Sequence, residues 1–267
     1  MKNTNKTLFL HGGPGLHAAV ERAWFGNSLP VLWWDQPAIA TDDPTPFHTL
    51  AGHAARQLQT LADSSGQQVD LVAHSYGCLI AAALASKHPA LIRRITLLGC
   101  LSLNPFHPFL YLGHKLLEAG YERPGLQDAM RAAQESPDES RFTALIQACF
   151  PDPAIPDIYF GPGSVAAKDR YLALASAAPP IDVPTFFAVM FDRLRAPPQP
   201  RAEACPEHRR RRFDGEVTAI LGKHDPLHVE ESSEKWREIF PQAQFKVMDA
   251  GHFLHLELPP EVWFGHP

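Results

Sequence analysis

The sequence has no long hydrophobic run. In 267 residues no stretch approaches the ~18 apolar residues of a membrane span. It also has no dominant charge. Lys and Arg number 24 against 29 Asp and Glu, a net charge of −5, so nothing draws the whole chain to nucleic acid or to an anionic membrane. Cysteine is scarce. Cys78, Cys100, Cys149 and Cys205 contain no Cys-x-x-Cys pair, which argues against a disulfide framework or a zinc site and fits a reducing, cytoplasmic setting. The 14 histidines are scattered. His252 and His255 stand three apart rather than four, with no acidic ligand set beside them, so neither a metal nor another cofactor is expected. Residues 1–7 are polar and the apolar run behind them is short, unlike a signal peptide.

What is present is an ordinary globular composition, 45% hydrophobic and 20% charged. Short apolar runs at 7–10, 31–34, 69–73, 94–98, 217–221 and 244–248 read as parallel strands buried on both faces. Helical patterns over 50–62, 76–87 and 232–239 separate them. This alternation predicts an α/β fold, a mainly parallel sheet flanked by helices. Between 101 and 200 the strand signals stop. Helical patches recur at 106–118, 126–134, 139–149, 164–177 and 184–194, broken by proline-rich stretches. The expected organisation is a core from 1–100 and 201–267, with a helical insertion at 101–200.

Two strand ends carry chemistry. The first strand runs into His11-Gly12-Gly13-Pro14-Gly15, and the third into Ala73-His74-Ser75-Tyr76-Gly77. A serine on a tight strand-to-helix turn needs small neighbours two residues either side, which Ala73 and Gly77 supply. Its oxygen then stands at a helix N-terminus, where negative charge is favoured. A helix-capping serine is the plainer alternative. A hydroxyl needs a base and the base needs an acid. His252, after the last strand, and Asp225, after the one before, have that placement, and the order Ser75, Asp225, His252 suits this architecture. The plainer alternatives are a packing histidine and a turn aspartate. The oxyanion donors expected are the backbone N–H groups of Tyr76 and Gly13, with Gly12 adjacent. The glycine loop lacks the Gly-Lys-Ser/Thr ending of a phosphate loop.

These motifs, together with Gly222-Lys223-His224-Asp225 and Gly251-His252, resemble the α/β-hydrolase superfamily over most of the chain. The His-Gly-Gly-Pro-Gly loop and Trp34-Asp35-Gln36 are similar to proline iminopeptidases and related cap-bearing esterases. The resemblance implies that the insertion is a helical cap over the site. The chain departs from the pattern after Gln36, where Pro37-Ala38-Ile39-Ala40-Thr41 replaces Arg-Gly-x-Gly-x-Ser. The family sheet opens with an antiparallel hairpin, and with only residues 1–7 before Leu8 that hairpin is expected to be absent. By family strand order Val31–Trp34 then becomes an apolar sheet edge, expected to be covered by the N-terminal arm or by a second copy in a homodimer.

The reading is a serine hydrolase that cleaves an ester or thioester of a small-to-medium hydrophobic substrate through an acyl-enzyme. One alternative is an iminopeptidase-like aminopeptidase, which needs a carboxylate for the substrate amine, with Glu118, Glu122, Asp157 and Asp169 as candidates. Others are a lyase, cyclase or cofactor-free dioxygenase on the same fold, or a binding protein with a silent site. The run Glu207-His208-Arg209-Arg210-Arg211-Arg212 reads as a solvated face rather than a site for an anionic carrier such as coenzyme A.

Overall fold

The apolar runs become strands where both faces can be covered. In the computed structural model, which describes residues 6–40, 42–121, 123–150, 155–195 and 213–264, they are β1 (Thr7–Leu10), β2 (Val31–Trp34), β3 (Val69–His74), β4 (Ile92–Leu98), β5 (Glu216–Gly222) and β6 (Gln244–Met248). They form one sheet in the order β2-β1-β3-β4-β5-β6, and each neighbouring pair is parallel. β1 lies between β2 and β3, so Leu10 is paired with both Trp34 and Ala73. That register brings the glycine loop after β1 beside the serine turn after β3.

The helices are α1 (Ala19–Phe25), α2 (Pro46–Ser65), α3 (Gly77–Lys87), α4 (Phe106–Glu118), α5 (Leu126–Glu135), α6 (Glu139–Cys149), α7 (Ile155–Tyr159), α8 (Val165–Ala175), α9 (Val183–Arg195), α10 (Glu230–Ile239), α11 (Leu254–Glu257) and α12 (Pro260–Trp263). α2 is longer than its apolar spacing predicts. It begins on Pro46 in the first turn and ends at Gly66 in the left-handed conformation, two terminal signals that lie outside the apolar stripe. The short helices α1, α7, α11 and α12 give too few turns for periodicity to show. None of the described helices is long and apolar enough to cross a membrane.

β2 is an edge strand, as the strand order requires. Arg22 of α1 guards it. Its guanidinium donates to the Trp33 carbonyl at 3.3 Å and holds both oxygens of Asp35, at 2.7 and 2.5 Å. A charged side chain over backbone acceptors is a common way to blunt an apolar edge. The N-terminal arm at residues 1–5 lies outside the described residues.

The insertion between β4 and β5 is helical, α4 to α9. In α4–α6, Phe142 meets Phe106 and Phe109 edge-on at 5.3 and 5.5 Å. The later part of the insertion fastens onto the core by several hydrogen bonds, two of them between backbone groups. In one, the Tyr159 carbonyl accepts from His252 N–H at 2.6 Å; in the other, the Gly15 carbonyl accepts from Asp182 N–H at 2.8 Å.

Candidate active site

Among the described residues Ser75 is the one non-glycine residue with positive φ, at 54°. The left-handed conformation of a serine costs of order 1–3 kcal/mol and persists only where its surroundings fix it. Here the Ser75 N–H donates to Leu98 O at 2.8 Å. The turn then enters α3. A Cβ at Gly77 would run into the carbonyls of Leu10 and His11, so the small residue two past the serine is enforced by the strand beside it.

His252 joins two partners. Its Nδ1 lies 2.8 Å from Asp225 Oδ2 and its Nε2 2.9 Å from Ser75 Oγ. A carboxylate only accepts, so Nδ1 carries the proton and bare Nε2 accepts from the serine hydroxyl. Asp225 Oδ1 accepts from Leu227 N–H at 2.8 Å, which fixes the carboxylate plane. All three side chains are buried. Gly99, with φ at +56°, leaves the room: a Cβ there would stand 3.2 Å from both Asp225 Oδ2 and His252 Nδ1. The His252 backbone is held on both sides, its N–H by Tyr159 O and its carbonyl by His74 Nε2 at 2.9 Å. Burial holds the His74 imidazole well below its usual pKa, so it serves as a neutral donor.

The glycine loop comes against the nucleophile. A Cβ at Gly12 would lie 2.9 Å from Ser75 Cβ. The N–H groups of Gly13 and Tyr76 have no hydrogen-bond acceptor among the described residues. Gln36 pins the loop, with Nε2 donating to Gly13 O at 2.6 Å and Oε1 accepting from Gly15 N–H at 3.0 Å. Gln36 and His74 were visible in the motifs, but nothing in the sequence assigns them these contacts. Tyr159, edge-on to the His252 ring at 5.4 Å, gave no sequence signal.

The alpha/beta hydrolase fold model matches residues 8–259. The chain belongs to this family. No curated protein sequence matches it. Among solved structures, this hydrolase-fold chain is similar to a proline iminopeptidase-related protein from Thermus thermophilus, at 21% identity and a TM-score of 0.57, covering 97% of this chain and 87% of that one. It is also similar to an alpha/beta hydrolase fold protein from Chitinophaga pinensis, at 14% identity and a TM-score of 0.59, covering 97% and 86%. A thermophilic esterase from Thermogutta terrifontis matches at 18% identity and a TM-score of 0.53, covering 96% and 85%. At these identities the likeness establishes the fold of this alpha/beta hydrolase, whose chemistry rests on its own site.

The carboxylates considered for holding a substrate amine show no hydrogen bond to Ser75, Asp225 or His252 among the described residues. Glu118 is exposed and paired with Lys115 at 2.7 Å, and Asp157 is exposed and paired with Lys168. Asp169 is exposed, and Glu122 lies outside the described residues. The arginine run at 207–212 and Cys205 lie outside them too. Cys78, Cys100 and Cys149 are free and buried, and burial pushes the Cys100 thiol up to about 12, which makes it a poor nucleophile at neutral pH.

Proposed function

We propose that this alpha/beta hydrolase cleaves an ester or thioester of a small-to-medium, largely hydrophobic substrate through an acyl-enzyme on Ser75. The observation that carries the reading is His252 hydrogen-bonded at once to Ser75 Oγ and Asp225. The serine oxygen attacks the acyl carbon while His252 Nε2 takes its proton. Asp225 keeps the other ring nitrogen protonated and stabilises the imidazolium that forms. The N–H groups of Gly13 and Tyr76 receive the oxyanion, and the loop clamp of Gln36 means they need not reorganise during the step. His252 then protonates the leaving group. Water, activated by the same imidazole, releases the acid in the second half.

The iminopeptidase alternative draws support from the glycine loop, but of the carboxylates considered for the substrate amine Glu118 and Asp157 are each paired with a lysine and Asp169 is exposed. One experiment separates the readings. A fluorophosphonate should label Ser75, and p-nitrophenyl esters of graded chain length should be turned over in preference to proline-β-naphthylamide. Ser75→Ala and His252→Ala should each abolish turnover. Labelling without turnover of any ester or amide would favour lyase, cyclase or oxygenase chemistry on this fold. Turnover that survives Ser75→Ala would remove the mechanism.

A further inference from the structure

Beside Tyr76 lies a cation that no described carboxylate pairs with directly, although the charge of Asp192 reaches it. Tyr76 follows Ser75 in the chain, and its ring meets Phe47 edge-on at 6.4 Å. Over the same Phe47 ring, 6.0 Å from its centroid, sits the Arg193 guanidinium of α9. Arg193 is partly buried, and its one hydrogen bond among the described residues is from Nη2 to the Leu103 carbonyl at 2.7 Å. Its neighbour Asp192 turns an oxygen to Phe47 N–H at 3.3 Å instead. No described carboxylate forms an ion pair with Arg193, although nine other arginine or lysine pairs with a carboxylate are formed elsewhere among the described residues.

A second group on the same spot is also unsatisfied. The Tyr76 hydroxyl is buried with no hydrogen-bond partner. A buried phenol usually finds one, and leaving a buried donor unmade costs about 1–3 kcal/mol. Burial pushes this phenol up, the Arg193 charge pulls the other way and the Asp192 charge adds to the rise, so all three groups lie within electrostatic reach. Burial also pushes Arg193 down from its usual value, against the opposing pull of Tyr76 and Asp192, the direction expected of a desolvated guanidinium. Both groups donate, and their shared complement is an acceptor carrying negative charge. A guanidinium fork with a hydroxyl beside it suits a planar carboxylate.

We propose that Arg193 and the Tyr76 hydroxyl form a carboxylate subsite next to Ser75, so that the preferred substrate is a half-ester of a dicarboxylic acid, with an apolar chain between the scissile ester and a free carboxylate. This rests on the serine-hydrolase reading and narrows its substrate class.

Binding to full-length Ser75→Ala protein tests the subsite without turnover. Monomethyl adipate and methyl hexanoate differ in a terminal carboxylate against a methyl group, and the half-esters from succinate to pimelate vary the reach. By titration calorimetry the best half-ester should bind at least about tenfold more tightly than its neutral counterpart, a gap of about 1.4 kcal/mol. Adding Arg193→Gln should erase that preference and leave the neutral ester unchanged, and Arg193→Lys should keep part of it. Tyr76→Phe, which removes only the hydroxyl, should weaken the half-ester several-fold and spare the neutral ester. Equal affinity for the two esters, no binding of any half-ester, or an equal loss for both esters in Arg193→Gln would overturn the proposal. Should Arg193→Gln not fold, half-ester binding unaffected by Tyr76→Phe and Arg193→Lys would overturn it as well. Half-ester binding without hydrolysis by the wild type would instead count against the hydrolase reading and leave the subsite standing.

Discussion

The loop and short helix after β6 carry two histidines, each paired with a carboxylate. His252 meets Asp225 at 2.8 Å, and His255 Nε2 meets Glu21 at 3.2 Å. All four side chains are buried. The difference lies in the second ring nitrogen. On His252 it faces the Ser75 hydroxyl, whereas on His255 it has no partner. The His255 ring lies tilted against His74, ring centres 4.4 Å apart, and against Phe9 at 5.3 Å. A carboxylate–histidine pair therefore does not make a catalytic base. A base needs a second nitrogen with a proton to take, and the His255 pair ties α1 and α11 together behind the sheet end.

The sharpest way to break this comparison is to neutralise each carboxylate. Asp225→Asn should lower kcat for a p-nitrophenyl ester by about 10³–10⁴-fold, because it stabilises the wrong tautomer and no longer supports the imidazolium. Glu21→Gln should lower it by less than about tenfold. Equal losses would mean that the second pair also serves the reaction.

Stability should rank the two pairs the other way relative to activity. Glu21→Gln leaves buried His255 with a poorer partner and should cost about 1–3 kcal/mol in urea unfolding. Ser75→Ala removes the reacting hydroxyl while keeping the fold, and should move stability by no more than about 0.5 kcal/mol. A large loss in Ser75→Ala with none in Glu21→Gln would reverse the assignment of one pair to chemistry and the other to structure.

The smallest effect is in the pH dependence of melting. Burial lowers the pKa values of His74 and His11 from 6.5. Their neutral forms therefore favour the fold, and that contribution is complete above 6.5 and falls away as the pH drops towards the folded values. Burial alone would raise the Glu21 carboxyl, but the hydrogen bond and charge of His255 bring it below 4.5. Its contribution is complete above 4.5 and is lost as the pH falls through the folded value. Wild type should lose melting temperature in two stages between pH 8 and pH 3, and Glu21→Gln should lack the second. A single stage in wild type would show that Glu21 does not titrate apart from the buried histidines.

Much of the fold was legible because its signals are local. The cores of the six strands stood out as apolar runs, and α4 and α6 matched their helical patterns to the residue. The ends of α2 were set by Pro46 and Gly66 rather than by periodicity. Of the site, Ser75, Asp225 and His252 could be named because each follows a strand at a fixed place in the chain order. Gln36, Tyr159, His74 and Arg193 could not be given contacts, because each acts on a partner far away in sequence.

By itself the sequence determined the alternation of strands and helices, the small residues that a tight nucleophile turn demands, and the order of the serine, the acid and the base. These depend on neighbours within a few residues, where sterics and periodicity decide. The tertiary structure alone decided which of two buried histidines meets a hydroxyl, and that a guanidinium with no direct ion pair among the described residues stands over Phe47. Those facts depend on sheet order and on where the insertion is fastened. A parallel sheet brings the ends of distant strands to one edge, and packing, which no local pattern encodes, selects the side chains that meet there.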